Sequence, residues 1–233
     1  MARLPRLIVP HQPHFIIQHG NDSHPLFREP DDYRQFLFWL QQSAKLCKVA
    51  IHAWALLPDR LQLLATPADE TGLATCLQRC GRYYVPWYNA KYGRAGALFG
   101  GRFKTAVVEA EAYLLPCSLY IEAAPQRAGL GEGITWPWSS FGQHAGLASD
   151  ALTVDHRLVW DLGNTPFQRE AAWKALTERG LGTAMVADIE AGVLKGWPLG
   201  SAAFKADLQK KAQRQVLPAR RGRPPKKTAP KPA

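Results

Sequence analysis

Between Leu56 and Leu64 the chain reads Leu-Leu-Pro-Asp-Arg-Leu-Gln-Leu-Leu, an alternation that predicts a β-strand. Residues two apart in a strand share a face, so Arg60 and Gln62 project together while Leu61 and Leu63 point to the opposite layer. Two histidines at this spacing would make a divalent-cation site. A guanidinium is a permanent cation that repels a metal ion rather than coordinating it, yet it pairs bidentately with phosphate. Arg60 is read either as a phosphate contact or as a solvated strand-face charge. Gln62 keeps a carbonyl oxygen, which alone is a weak ligand.

Further along, Arg79, Arg82, Lys91 and Arg94 interleave with Tyr83, Tyr84, Trp87, Tyr88 and Tyr92. A surface of that kind grips phosphates and stacks on unpaired bases, unless its aromatic face packs on a sheet, as we expect for at least half of these rings. Arg102 and Lys104 are further phosphate candidates. Near the end, Arg221-Gly222-Arg223-Pro224 lies within a run from Arg220 to Lys227 that includes Lys226. It matches the core of an AT-hook, whose arginines enter the narrow minor groove of A·T-rich duplex. A basic solubilising tail is the other reading.

The chain has 233 residues, 46% of them hydrophobic, and eight tryptophans, enough for one domain of moderate size with a smaller appendage. Its net charge of +10 is uneven: all but about one unit lies beyond residue 204, so the electrostatic case for nucleic acid rests mainly on the tail. No apolar run approaches the ~18 residues of a membrane span and no secretory leader is spelled, so a cytoplasmic, nucleoid-associated protein is expected. Cys47, Cys76, Cys80 and Cys117 contain no CxxC pair. Cys76 and Cys80 sit one helical turn apart, as two thiolates or as reduced core residues; we assign them no chemistry.

The elements that must position these groups read as strand His14 to Gln18, helix Pro30 to Leu46, strand Val49 to Leu57, strand Arg60 to Thr66, helix Glu70 to Tyr92, strand Arg102 to Glu109 and helix Ala110 to Ala124. That order is a split βαβ, an α+β ferredoxin-like sandwich. Apolar residues on both faces of Val49 to Leu57 predict a central strand. Pro116 should kink the last of these helices or delay its start, and Pro86 interrupts the longer one. Beyond residue 145, Thr165-Pro166-Phe167-Gln168 is a helix start with a capping box. Helices from there to about Glu178, over Ala184 to Leu194 and over Ser201 to Gln213 make either a helix-turn-helix or a small structural cap. From Val216 the composition predicts disorder.

These features resemble the REP-associated tyrosine transposases, single-tyrosine members of the HUH superfamily, whose strand reads Met-Pro-Asn-His-Val-His-Leu where this chain has Leu57 to Leu63. Arg3-Leu4-Pro5-Arg6-Leu7, the stretch from His11 to Gly20, Ala50-Ile51-His52-Ala53-Trp54, Gly101-Arg102-Phe103-Lys104, Glu111 to Leu115, Gln126 to Leu130 and Trp136-Pro137-Trp138-Ser139-Ser140 also follow the family, in order. The resemblance covers roughly residues 1 to 145. It implies a ferredoxin-like HUH-type domain there, followed by a helical region at 146–215 and a basic tail at 216–233.

By the same resemblance Tyr120, in Tyr120-Ile121-Glu122-Ala123-Ala124-Pro125, occupies the position of the nucleophile that attacks phosphorus in single-stranded DNA and leaves a 5′-phosphotyrosine. The family holds Mg²⁺ or Mn²⁺ with its two strand histidines and an asparagine four residues after the tyrosine; here those positions are Arg60, Gln62 and Ala124. The expectation is a DNA-binding protein, monomer or homodimer, that engages hairpin-forming single strands, needs no cofactor and no longer cleaves efficiently. The alternatives are an active transposase using Tyr120, with Mg²⁺ or Mn²⁺ held elsewhere or Arg60 replacing it, and an RNA-binding ferredoxin-like module.

Overall fold

The computed structural model describes residues 6–131, 136–212 and 215–216. Strands β1 (His14–His19), β2 (Val49–Leu57), β3 (Arg60–Pro67) and β4 (Lys104–Val107) form a sheet in the order β2-β3-β1-β4, every neighbouring pair antiparallel. Helices α1 (Pro30–Leu46) and α2 (Gly72–Lys91) cover one face. The other is covered by α3 (Ala110–Glu122), the short α4 (Ala124–Arg127) that follows it, and a later helix, α8 (Thr183–Lys195). The short α5 (Phe141–His144) and α6 (Arg157–Trp160) precede α7 (Pro166–Arg179), α8 and α9 (Ala202–Lys211). Among the described residues no helix is long and apolar enough to cross a membrane.

Local chemistry explains most boundaries. Pro30 opens α1 at its first turn, and the Asp32 carboxylate accepts from the Glu29 amide at 3.2 Å and the Arg28 amide at 2.7 Å, satisfying donors that the helix leaves open. Asp32 is fully buried and also receives Lys91 Nζ at 2.9 Å and the Tyr92 hydroxyl at 2.8 Å, which ties the start of α1 to the end of α2. Burial alone would raise its carboxyl pKa, but these donors hold it below the ordinary value. Asp69 delays α2 from the expected Glu70 to Gly72, because its Oδ1 accepts from the Thr71 and Gly72 amides, each at 2.8 Å. Pro86 and Pro116 both lie inside helices that continue through them. The expected delay at Pro116 does not occur, since α3 already begins at Ala110.

β2 is an edge strand, not the central one its composition predicts. Its free edge is covered instead. Leu56 donates its amide to Trp138 O at 2.9 Å, Ser140 donates to Trp54 O at 2.9 Å and Val154 to Ile51 O at 2.7 Å, so loop backbone takes up the pairing that an open edge would offer to another chain. This accounts for apolar residues on both faces of an edge strand. A bulge between Ile51 and Ala53 also shifts the alternation, placing Ile51 on the face of Trp54 and Leu56. His52, at the bulge, bonds Val154 O at 2.7 Å and Thr66 Oγ1 at 2.8 Å; burial pushes its pKa down to about 4. Cys76 and Cys80 are buried core thiols, pushed up by burial, Cys76 to about 12.

One carboxylate ties the end of α3 to the segment that covers the β2 edge and to α7. Glu122, at the end of α3 and 2% exposed, accepts from Ser140 Oγ at 2.5 Å, His144 Nδ1 at 2.5 Å and Trp173 Nε1 of α7 at 2.8 Å. Burial disfavours a charged His144, but the Glu122 carboxylate more than offsets this and holds its pKa above the ordinary value. Trp173 is fully buried, an apolar contribution on the order of 4–6 kcal/mol. Glu122→Gln is therefore expected to lower unfolding free energy by about 2–4 kcal/mol in urea. Because the folded pKa of His144 is raised, its contribution is complete below ~6.5 and is lost as pH rises through the folded value. The thermal midpoint should fall on that alkaline limb, and His144→Gln should lack the limb.

Candidate functional site

The register of the sheet decides which side chains meet. His19 pairs with Arg60, and Ile17 with both Gln62 and Lys104, so His19, Arg60, Gln62 and Lys104 share the face that α3 covers. Tyr120, two residues before the end of α3, points at that face and meets Phe15 edge-on, with ring centroids 5.8 Å apart. Ala124 lies four residues later, one helical turn away. Arg127 and Glu190, with His19, Arg60, Gln62, Tyr120 and Ala124 but not Lys104, line a cavity of about 400 Å³. The residues singled out at positions 60, 62, 120 and 124 are thus brought into one site.

Tyr120 is 6% exposed, and its hydroxyl donates to Glu190 Oε1 of α8 at 3.0 Å. The Arg127 guanidinium sits 3.7 Å from the centre of the Tyr120 ring, and Arg127 Nη2 donates to Tyr120 O at 2.6 Å. Burial pushes the Tyr120 pKa up; Arg127 opposes this and Glu190 adds to it, so the net shift is upward. At neutral pH the group is a protonated phenol, a weak nucleophile. His19 is held below its ordinary value by burial and by Arg60.

A divalent cation, which the family resemblance implies, does not suit this donor set. Gln62 is 4% exposed and its Oε1 is buried without a hydrogen-bond partner, an acceptor that a cation or a donor would satisfy. But two guanidiniums, Arg60 and Arg127, line the same space, and Ala124 supplies no donor atom. The Glu190 carboxylate already receives the tyrosine hydroxyl. Among the described residues no cluster of three or more His, Cys, Asp and Glu side chains is placed to hold a metal. Two arginines at this cavity can attract an anion, while the Arg60 guanidinium, 28% exposed, is already paired with Asp59 Oδ2 at 3.0 Å.

The other basic residues divide. Lys104 stands near His19 on the sheet face and contributes to depressing its protonation. Lys91 makes ion pairs with Glu29 at 2.5 Å and with Asp31 and Asp32, so it serves the fold first. Arg94 lies over Tyr88 and donates to Asn89 Oδ1 at 3.3 Å. Arg79 approaches the Tyr83 ring, and Arg82 is exposed beside it on α2. Tyr84 and Tyr88 are core residues whose hydroxyls donate to Leu26 O and Pro25 O. Arg102 lies on the opposite side of the sheet, lining a second cavity. Arg220, Arg221, Arg223, Lys226 and Lys227 fall outside the described residues.

Sequence reasoning missed three residues of the site. Arg127 carried a signal, since it lies seven residues after Tyr120, two helical turns on the same face. His19 carried a weaker one in the alternation of β1. Glu190 carried none, because only tertiary packing brings α8 to α3.

No protein-family model and no curated protein matches the sequence. Among solved structures, the chain is similar to that of a REP-associated tyrosine transposase bound to a REP hairpin. The two share 14% identity with a TM-score of 0.51, covering 67% of this chain and 99% of that one. It is also similar to a candidate transposase from Deinococcus radiodurans R1, with 15% identity, a TM-score of 0.33 and coverage of 55% and 92%. The second likeness is slight. The first establishes a shared transposase fold that spans the whole of the neighbour and leaves about a third of this chain without a counterpart.

The opposed effects of Glu190 and Arg127 on the tyrosine are measurable. In ¹³Cζ-tyrosine NMR titrations, Tyr120 should ionise at lower pH in Glu190→Gln than in the native chain, and at higher pH in Arg127→Gln. Equal midpoints in all three would contradict the geometry.

Proposed function

We propose that this chain is a DNA-binding protein built on a tyrosine-transposase fold, one that holds hairpin-forming single strands and has exchanged a metal-assisted cleavage site for a cationic phosphate grip. The observation that carries this reading is the meeting of Arg60, Arg127, Gln62 and Ala124 around Tyr120 in one cavity. The strand order β2-β3-β1-β4 supports the ferredoxin-like, HUH-type assignment of residues 1–145. The hairpin partner is taken from the neighbour of shared fold, which is bound to one.

In this reading Arg60 binds a backbone phosphate as a bidentate cation, Lys104 adds charge at the rim, and Arg127 holds the ring and carbonyl of Tyr120 while its own charge favours the anion. Tyr120 is retained as a buried, hydrogen-bonded wall. No cofactor is required. The helical region from 146 to 215 belongs to the same machinery through Glu190, and the basic tail adds non-specific or A·T-rich duplex contacts, consistent with a cytoplasmic, nucleoid-associated protein.

The test is the salt dependence of binding to a labelled hairpin with a single-stranded extension. Arg60→Ala should weaken binding about 5- to 20-fold and reduce the slope of log K against log salt by about 0.7–0.9, the value of one phosphate contact. Unchanged affinity and slope would remove Arg60 from the interface. Equal or tighter binding of the RNA hairpin would favour an RNA-binding module instead.

A further inference from the structure

The small net charge of the first 204 residues hides a separation of sign. Between Tyr33 and Lys48, and again between Thr71 and Ala90, the chain carries five basic residues, Arg34, Lys45, Lys48, Arg79 and Arg82, and no acidic one. The remainder of those 204 residues holds fourteen basic against eighteen acidic groups. The two basic stretches make up most of α1 and α2, the layer on the side of the sheet away from Tyr120. The helices run antiparallel, since Lys91 at the end of α2 pairs with Asp31 and Asp32 at the start of α1. Positive charge is thus gathered on one layer, which attracts a polyanion to that side of the molecule.

The same layer turns aromatic rings outward. Phe38 of α1 is 49% exposed and Tyr83 of α2 is 38% exposed. Trp39 lies between them, stacked on Tyr83 with centroids 4.4 Å apart and planes 14° apart, and met edge-on by Phe38 at 4.9 Å. The three rings make a ridge across the seam of the two helices, and the stack holds it in place. Burial assigns Tyr84 and Tyr88 to the core, so the ridge is the part of the aromatic pattern that faces solvent.

The basic groups around the ridge are uncommitted. Arg34 and Lys48 stand at the two ends of the layer, within the influence of Asp31 and Asp69. Among the described residues no carboxylate forms an ion pair with Lys45, Arg79 or Arg82. The Arg79 guanidinium lies 5.5 Å from the centre of the Tyr83 ring, with Arg82 exposed beside it. Unpaired guanidiniums take phosphate, and an exposed ring takes the flat face of an unpaired base. We propose that the outer face of α1 and α2 binds a single-stranded segment of DNA, with a base stacked on Phe38 and phosphates of the same segment held by Arg79 and Arg82. This inference rests on the DNA-binding reading above for the class of partner. It adds a surface separate from the Arg60 cavity, which lies on the other face of the sheet.

The experiment uses the full chain, a fluorescent single strand that forms no hairpin and carries one photoreactive iodouracil, and a duplex of the same sequence. Affinity is read by anisotropy over a range of salt concentrations, and photochemical adducts are mapped by mass spectrometry. All substitutions replace exposed side chains, and circular dichroism checks each fold. Phe38→Ala should weaken binding of the single strand by about 5- to 100-fold with an unchanged salt slope, and should leave the duplex at native affinity. Arg79→Gln combined with Arg82→Gln should reduce the slope for the single strand by about 1.4, the value of two phosphate contacts. Adducts should fall on Phe38 or Tyr83. Native affinity in Phe38→Ala, an unchanged slope in the double variant, or adducts confined to other segments overturns this surface and leaves the DNA-binding reading standing. A native chain that binds a hairpin but not this strand does the same, whereas one that binds neither overturns both.

Discussion

Glu122 is the constraint on which the arrangement depends. It lies two residues after Tyr120, so the helix end that aims the tyrosine is the one anchored by a buried carboxylate with three donors, from Ser140, His144 and Trp173. Those donors come from the segment that covers the β2 edge and from the helical region beyond residue 145. One side chain therefore fixes the pitch of α3, closes the sheet edge and docks α7. An uncompensated carboxylate at that depth would cost several kcal/mol, which makes the three partners interdependent. α8 packs on the sheet through Ile189 and Val193 and brings Glu190 to the tyrosine hydroxyl.

Within that frame the cationic site proposed above has an electrostatic rationale. A dication ~5 Å from a guanidinium is repelled by roughly 6 kcal/mol at an effective dielectric of ~20, more than a lone amide oxygen regains. A phosphate at the same place gains attraction of about half that size from its single charge. In the proposed reading Arg60 and Arg127 make the cavity prefer an anion to a metal ion. In that reading Tyr120, buried and bonded to a carboxylate, is without the metal's help that a phenol needs to attack phosphorus at neutral pH.

Much of this was legible in the sequence because it depended on local periodicity. The shared face of Arg60 and Gln62 follows from a two-residue repeat, and helix α1 from Pro30 and the acidic first turn. The failures have particular causes. The two-sided apolar pattern of β2 predicts a central strand, since a covered edge and a central strand bury the same faces; only the pairing with Trp138, Ser140 and Val154 tells them apart. The interleaved aromatics of α2 carry two patterns, and burial of Tyr84 and Tyr88 assigns part of them to the core. Lys91 looked like a surface cation because its acidic partners lie some sixty residues away. Glu190 reaches the site through tertiary contacts that no local spacing encodes.

The proposed protein keeps the tyrosine of a transposase fold and binds a DNA strand without metal-assisted cleavage. The most direct measurement is a denaturing gel for a covalent protein–DNA adduct on a labelled hairpin, run with Mg²⁺, Mn²⁺ or EDTA, with a Tyr120→Phe control and a native lane for binding. Retarded DNA in the native lane and no adduct under any condition is the predicted result. An adduct that requires Tyr120, above all one that also requires Mg²⁺ or Mn²⁺, would contradict it.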